Sequence, residues 1–146
     1  MDERGLKIRK SLGNVIDLQV VIEGGKNQKE APRYGADVLR LWVSSVDCSG
    51  DVMNGPQIFK KMFYIYRKLH GTLRYLLSNI HDWKPKNSII YKSLPMIDKY
   101  ALYQLANVIN NIKQSYGSYQ FYKIFQTIQC FATVDLSNFY FDVAND

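Results

Sequence analysis

The feature that most constrains the fold is an uninterrupted pattern running from Pro56 to about Asp82. Ile58, Met62, Ile65, Leu69, Leu73, Leu76 and Ile80 recur at steps of three and four, which places them on one stripe of a single long helix. Proline at a first helical position opens it, because its fixed φ suits a helix start and its missing N–H is not needed there. That apolar stripe must pack against other elements. Opposite it Lys60, Arg67 and Arg74 fall on one line, with Lys61 and Lys68 beside them and no acid between. Such a face is either a solvated helix side or a rail for a phosphate backbone. The segment "HDWKPKNS" breaks the pattern at Pro85 and Asn87-Ser88.

Helical spacing recurs on either side. "GADVLRLWVSS" predicts a short helix over about 35–45 through Val38, Leu39, Trp42 and Val43. A helix over about 97–116 has Ala101, Leu105, Val108, Ile112 and Tyr116 on one face, and Gly117 fits its stop. A third is expected over about 118–131 with Phe121, Phe125 and Ile128 inward, and a fourth over about 133–144 through Leu136, Phe139 and Val143. "EGGKNQKEAPRYG", residues 23–35, is a connection. The fold class is mainly α, with short links that favour an antiparallel bundle. The change of character at Pro56 divides the chain into 1–55 and 56–146.

The chain has 146 residues, enough for one domain, and 19 Lys and Arg against 13 Asp and Glu give a net charge of +6. A basic balance favours polyanionic partners such as nucleic acid. Cys48 and Cys130 are far apart and lack metal-ligand or scaffold spacing, so neither zinc nor a disulfide framework is indicated. No apolar run approaches the roughly 20 residues of a membrane span, and "MDERGLKIRK" has neither signal-peptide nor transit-peptide character. The sequence reads as a soluble domain. His70 and His81 have no nucleophile or acid at triad spacing, and Asp47 and Asp51 in "VDCSGDV" read as turn residues.

One loop carries candidate chemistry. "KIRKSLGN", residues 7–14, concentrates Lys7, Arg9 and Lys10 with a hydroxyl and a glycine. It is either a solvated basic patch or a mobile grip on an anion, since lysine is a flexible point charge and Gly13 permits close backbone approach.

Taken with its neighbours, this loop carries a resemblance. "KIRKSLGNVID" is similar to the KMSKS signature of class I aminoacyl-tRNA synthetases. "YGADVLRLWVSSVD", "IYRKLHGTLRYLLSNIHDW" and "VDLSNFYFDVA" resemble the segments that follow it in the isoleucine-specific members. The resemblance spans essentially the whole chain. It implies a KMSKS loop and short connecting subdomain at the end of a catalytic domain, followed by an incomplete anticodon-binding helical bundle. It also implies a catalytic role for Lys10, steadying pyrophosphate as it leaves ATP, with Lys7 and Ser11 in phosphate contact or loop position. Gly13 and Asn14 would shape the loop. Ile8 and Arg9 depart from the signature's methionine and serine, Arg9 adding bulk and charge, and Leu18 stands where the family often has proline.

Under the same resemblance Lys60, Arg67, Lys68 and Arg74 would contact the tRNA backbone, and Trp83 would either stack on a base or pack at a helix end. The implied partners are isoleucine tRNA, ATP and isoleucine, with Mg2+ accompanying ATP and no metal site in this segment. No membrane partner is implied. The parent reaction would be ATP-dependent attachment of isoleucine to its tRNA, for which this piece alone is expected to be inactive. The HIGH-signature half would lie upstream of Met1. The insert "GGKNQKEAPR" resembles cyanobacterial and plant-organelle versions, so the compartment is expected to be cytoplasmic, or the interior of a plastid or mitochondrion. The alternative reading is a truncated stand-alone tRNA-binding module without ligase activity.

Overall fold

A computed structural model describes residues 1–47 and 49–144, so Cys48 lies outside the described residues. The helices are α1 (Leu18–Glu23), α2 (Ala36–Ser45), α3 (Pro56–Asn79), α4 (Met96–Gly117), α5 (Phe121–Cys130) and α6 (Phe141–Ala144). A π-helical stretch, Phe131–Tyr140, joins the last two. Among the described residues there is no strand. The mainly α expectation is met. The chain divides into two compact units, Met1–Tyr66 and Arg67–Asp146, and α3 contributes to both.

In the first unit, Asp17 starts α1 by accepting a hydrogen bond from the Gln19 N–H at 2.9 Å. An aspartate N-cap thus supplies the helix start that Leu18, in place of proline, does not pre-set. The connection to α2 returns the chain against α1, where Tyr34 and Gly35 donate backbone hydrogen bonds to Val21 and Ile22. The core is small: Val21, Val38, Phe59 and Met62 are buried, and Phe59 sets its ring edge-on to Trp42 at 5.3 Å. Helix α3 begins without a capping side chain of its own, since Gly55 precedes Pro56. Glu3 Oε1 fills that role from a distance, accepting from Gln57 N–H at 2.6 Å and Ile58 N–H at 3.3 Å. Any side chain on Gly55 would collide with Glu3, so glycine is required for this approach.

In the second unit, the end of α3 and helices α4 and α5 with their continuation form a helical bundle. Helix α4 ends at Gly117 as expected, but Tyr119 is the residue that adopts the left-handed conformation in the reversal after it, with φ 56°. The two helices expected over 118–131 and 133–144 are instead one continuous helical run from Phe121 to Ala144. Nothing in that run is glycine or proline, so no residue forces a break. The π winding, with its i to i+5 bonding, brings Phe131, Leu136 and Tyr140 to one side. There they line an apolar groove of about 780 Å³ with Leu73, Leu105 and Ile112. Tyr75 and Phe141 rings meet at 4.4 Å, and Tyr140 Oη donates to Asp98 Oδ1 at 2.7 Å.

On α3 the stripe residue Met62 is buried as expected, but burial spreads to opposite flanks of the stripe in the two units. Phe59 and Thr72 are more buried than the expected Ile58 and Leu73, and Leu73 and Ile80 are 60% and 56% exposed. In the first unit the rings of Trp42 and Tyr34, 5.3 and 6.5 Å from that of Phe59, cover its flank. Likewise Ile124, rather than Phe121 or Ile128, is the buried residue of α5. His81 lies beyond the end of α3 and not on it.

This packing can be tested at two positions. Phe59→Ala should cost about 3–5 kcal/mol and Leu73→Ala about 1 kcal/mol or less, read by urea denaturation; equal losses would contradict the assigned core. The hydrogen bond to Asp98, followed by burial, raises Tyr140 above the ordinary tyrosine pKa of 10.0. Its contribution is therefore complete below pH 10 and is lost as pH rises through the higher folded value. Tyr140→Phe should cost about 1 kcal/mol at neutral pH and flatten the alkaline fall in stability.

Candidate phosphate loop and cationic helix

The 7–14 loop is built from a short turn and a clasp of side chains. Lys10–Leu12 form one turn of 3-10 helix, closed by Leu12 N–H to Arg9 O and Gly13 N–H to Lys10 O, both 3.1 Å. Gly13 terminates it at φ 64°, a left-handed conformation that other side chains adopt with strain. A side chain there would meet open space, so conformation and not crowding calls for glycine. Lys7, Arg9, Lys10 and Ser11 are all exposed, which leaves the ammonium groups able to reach an anion.

Asn14 is the centre of the clasp. Its Oδ1 accepts from Arg9 N–H at 2.9 Å, while its Nδ2 donates to Asp2 Oδ2 at 3.1 Å and to Lys7 O at 3.3 Å. Asp2 Oδ1 in turn accepts from Arg4 and Leu6 N–H groups at 3.0 and 2.9 Å. The Asn14 hydrogen bond, helped by the Leu6 N–H and by Arg4, holds the Asp2 carboxyl below the ordinary value of 3.8. The sequence pattern points to Asn14 but not to Asp2 or Glu3. The available signal is an aspartate four residues before Leu6, a spacing suited to capping its own turn.

The α3 cations occupy both units. Lys60 and Lys61 are exposed in the first, and Arg67, Lys68 and Arg74 are exposed in the second. Lys68 Nζ donates to Asn138 Oδ1 at 3.4 Å, so it is partly engaged. Beyond α3, the connection to α4 exposes Trp83 and Tyr91 at 53% and 57%, with Lys84, Lys86 and Lys92 also exposed. Two 3-10 turns, Pro85–Asn87 and Tyr91–Ser93, shape that connection, and Lys99 Nζ donates to Lys92 O at 2.9 Å. The interleaving of rings and cations is visible in the sequence, although the motif reading singles out only Trp83.

Ser49 N–H donates to Asp47 Oδ1 at 3.0 Å, the turn role expected of that acid. Among the described residues no three His, Cys, Asp or Glu come together as a metal-holding group. Nor is any helix among them long and apolar enough to cross a membrane.

Comparison with known proteins covers both parts. The family model for tRNA synthetases class I (I, L, M and V) matches residues 1–54, and that for the anticodon-binding domain of tRNA ligase matches residues 98–146. The isoleucine–tRNA ligase, chloroplastic/mitochondrial, of Arabidopsis thaliana is 64% identical over all 146 residues, which are 13% of its own length. The isoleucine–tRNA ligases of a Cyanothece species and of Crocosphaera subtropica are 55% and 52% identical across the whole chain, over 15% of theirs. The chain therefore spans 13–15% of the length of these curated relatives. The chain is thus similar along its entire length to a segment of isoleucine–tRNA ligases, with the class I tRNA synthetase match preceding the anticodon-binding match.

Proposed function

We propose that this chain supplies the ATP-phosphate loop and a tRNA-binding helical segment of an isoleucine–tRNA ligase. The observation that carries the reading is the 64% identity over all 146 residues to a ligase of that name. In the division we favour, residues 1–55 close the catalytic domain and residues 56–146 form an incomplete anticodon-binding bundle. Lys10 is the catalytic candidate: its ammonium would stabilise negative charge developing on pyrophosphate as isoleucyl-adenylate forms, where a positioned cation is worth most. Lys7 would hold phosphate oxygens from the other side of Ile8, and Ser11 would add a hydroxyl donor.

Mg2+ would arrive as part of the ATP complex. Asp2, the carboxylate built into the loop's base, is engaged by Asn14 and two backbone N–H groups, so these residues do not fit a metal site and no step is routed through one. Lys60, Arg67, Lys68 and Arg74 suit phosphate contacts, and Trp83 offers a ring to an unstacked base. The Arabidopsis relative, whose name places it in chloroplast and mitochondrion, favours an organellar interior. A stand-alone tRNA-binding module is the second reading, favoured by the exposed cations and rings of the second unit, which need no adenylate pocket.

Isoleucine tRNA should bind this chain with an affinity that falls steeply with salt. Arg67→Ala with Arg74→Ala should weaken it about tenfold and reduce the logarithmic salt slope by about one per cation removed, as filter binding would show. Unchanged binding in the double variant would refute the α3 contact. The chain alone should show no isoleucine-dependent exchange of pyrophosphate into ATP, because the loop lacks the rest of its pocket; measurable exchange would refute the assignment of inactivity.

A further inference from the structure

We propose that Asp2 and Asn14 form a clamp that sets the position of the Lys7–Ser11 loop, making them positioning residues for its lysines. The inference rests on the phosphate reading of that loop. Asn14 is bonded on both sides of Ile8: it accepts from the Arg9 N–H and donates to Lys7 O. Its amide also donates to Asp2 Oδ2. Only an amide side chain provides an acceptor and two donors at one position; aspartate would lose both donors and set a second charge against Asp2. Asp2 uses its other oxygen to hold Arg4 and Leu6, the segment that enters the loop.

The clamp is itself anchored. Asn54 N–H donates to Met1 O at 2.9 Å, and Glu3 caps α3. Residues 1–3 thus fasten the loop's base to the segment leading into α3, while the exposed lysines extend from it. A loop gripped at both flanks presents Lys7 and Lys10 from a fixed base, which lowers the ordering needed when an anion binds.

The test uses the 146-residue chain and trypsin, whose sites at Lys7, Arg9 and Lys10 lie in this exposed loop. Mass spectrometry follows cleavage of the Lys10–Ser11 bond, with and without inorganic pyrophosphate. Asn14→Asp should speed cleavage about fivefold and raise the pyrophosphate concentration giving half-protection by a similar factor. Asp2→Asn should have a smaller effect of the same sign. Combining Asp2→Asn with Asn14→Asp exchanges donor and acceptor, so an amide at position 2 can donate to a carboxylate at position 14. Both readouts should then recover about halfway towards the unaltered chain, because the bond between positions 2 and 14 is regained while the donation to Lys7 O is not. A combined variant cleaved as fast as Asn14→Asp, or single variants indistinguishable from the unaltered chain, would overturn the clamp. Failure of pyrophosphate to slow cleavage of the unaltered chain would instead overturn the phosphate reading, and the cleavage rescue would still decide the clamp.

Discussion

The carboxylate of Glu3 at the start of α3 is the contact on which the first unit depends. Helix α3 opens with Gly55-Pro56, a pair that sets the backbone but offers no side-chain acceptor for the first free N–H groups. Glu3 supplies it from more than fifty residues away, and in doing so brings Asp2 within the same short segment to the base of the lysine loop. Local turn chemistry and long-range capping therefore share three residues. A helix start and a loop that would otherwise be independent are tied to one piece of chain.

The second unit is organised differently. Its helices meet through rings and aliphatic side chains that remain half exposed, and the apolar groove lined by Leu73, Leu105 and Leu136 is open. The continuous run from Phe121 to Ala144 widens into a π-helix where it faces that groove. The wider winding lets residues five apart share a side, which an α-helix would spread around its circumference. Polar ties sit at the edges, such as Tyr140 to Asp98 and Lys68 to Asn138. The cations of α3 thereby stay on the surface, where a polyanion can reach them.

Most helices are legible from the sequence because periodicity and breakers are local properties. Pro56, Pro85 and Gly117 mark boundaries through backbone sterics alone. Phase is what periodicity leaves open. The α3 apolar face is broad, with Phe59, Phe63 and Tyr66 flanking the expected stripe, and a repeat of three and four does not say which flank a neighbour will cover. The expected break near residue 132 is absent for a related reason, since no glycine or proline enforces it. In the candidate site, Lys7, Lys10 and Ser11 are legible as a motif, whereas Asp2 and Glu3 are not, because their partners are distant or bond through the backbone.

Residue type and short-range spacing were enough to give the helical content, the basic loop, the cationic line on α3 and the family resemblance. Three-dimensional packing settled the rest: which side of α3 is buried, that Tyr119 turns the chain after α4, and that Asn14 and Asp2 bond across the loop's base. Those outcomes depend on which groups meet when distant segments come together. Competition for burial and for hydrogen-bond partners is resolved there, and local spacing along the chain does not encode it.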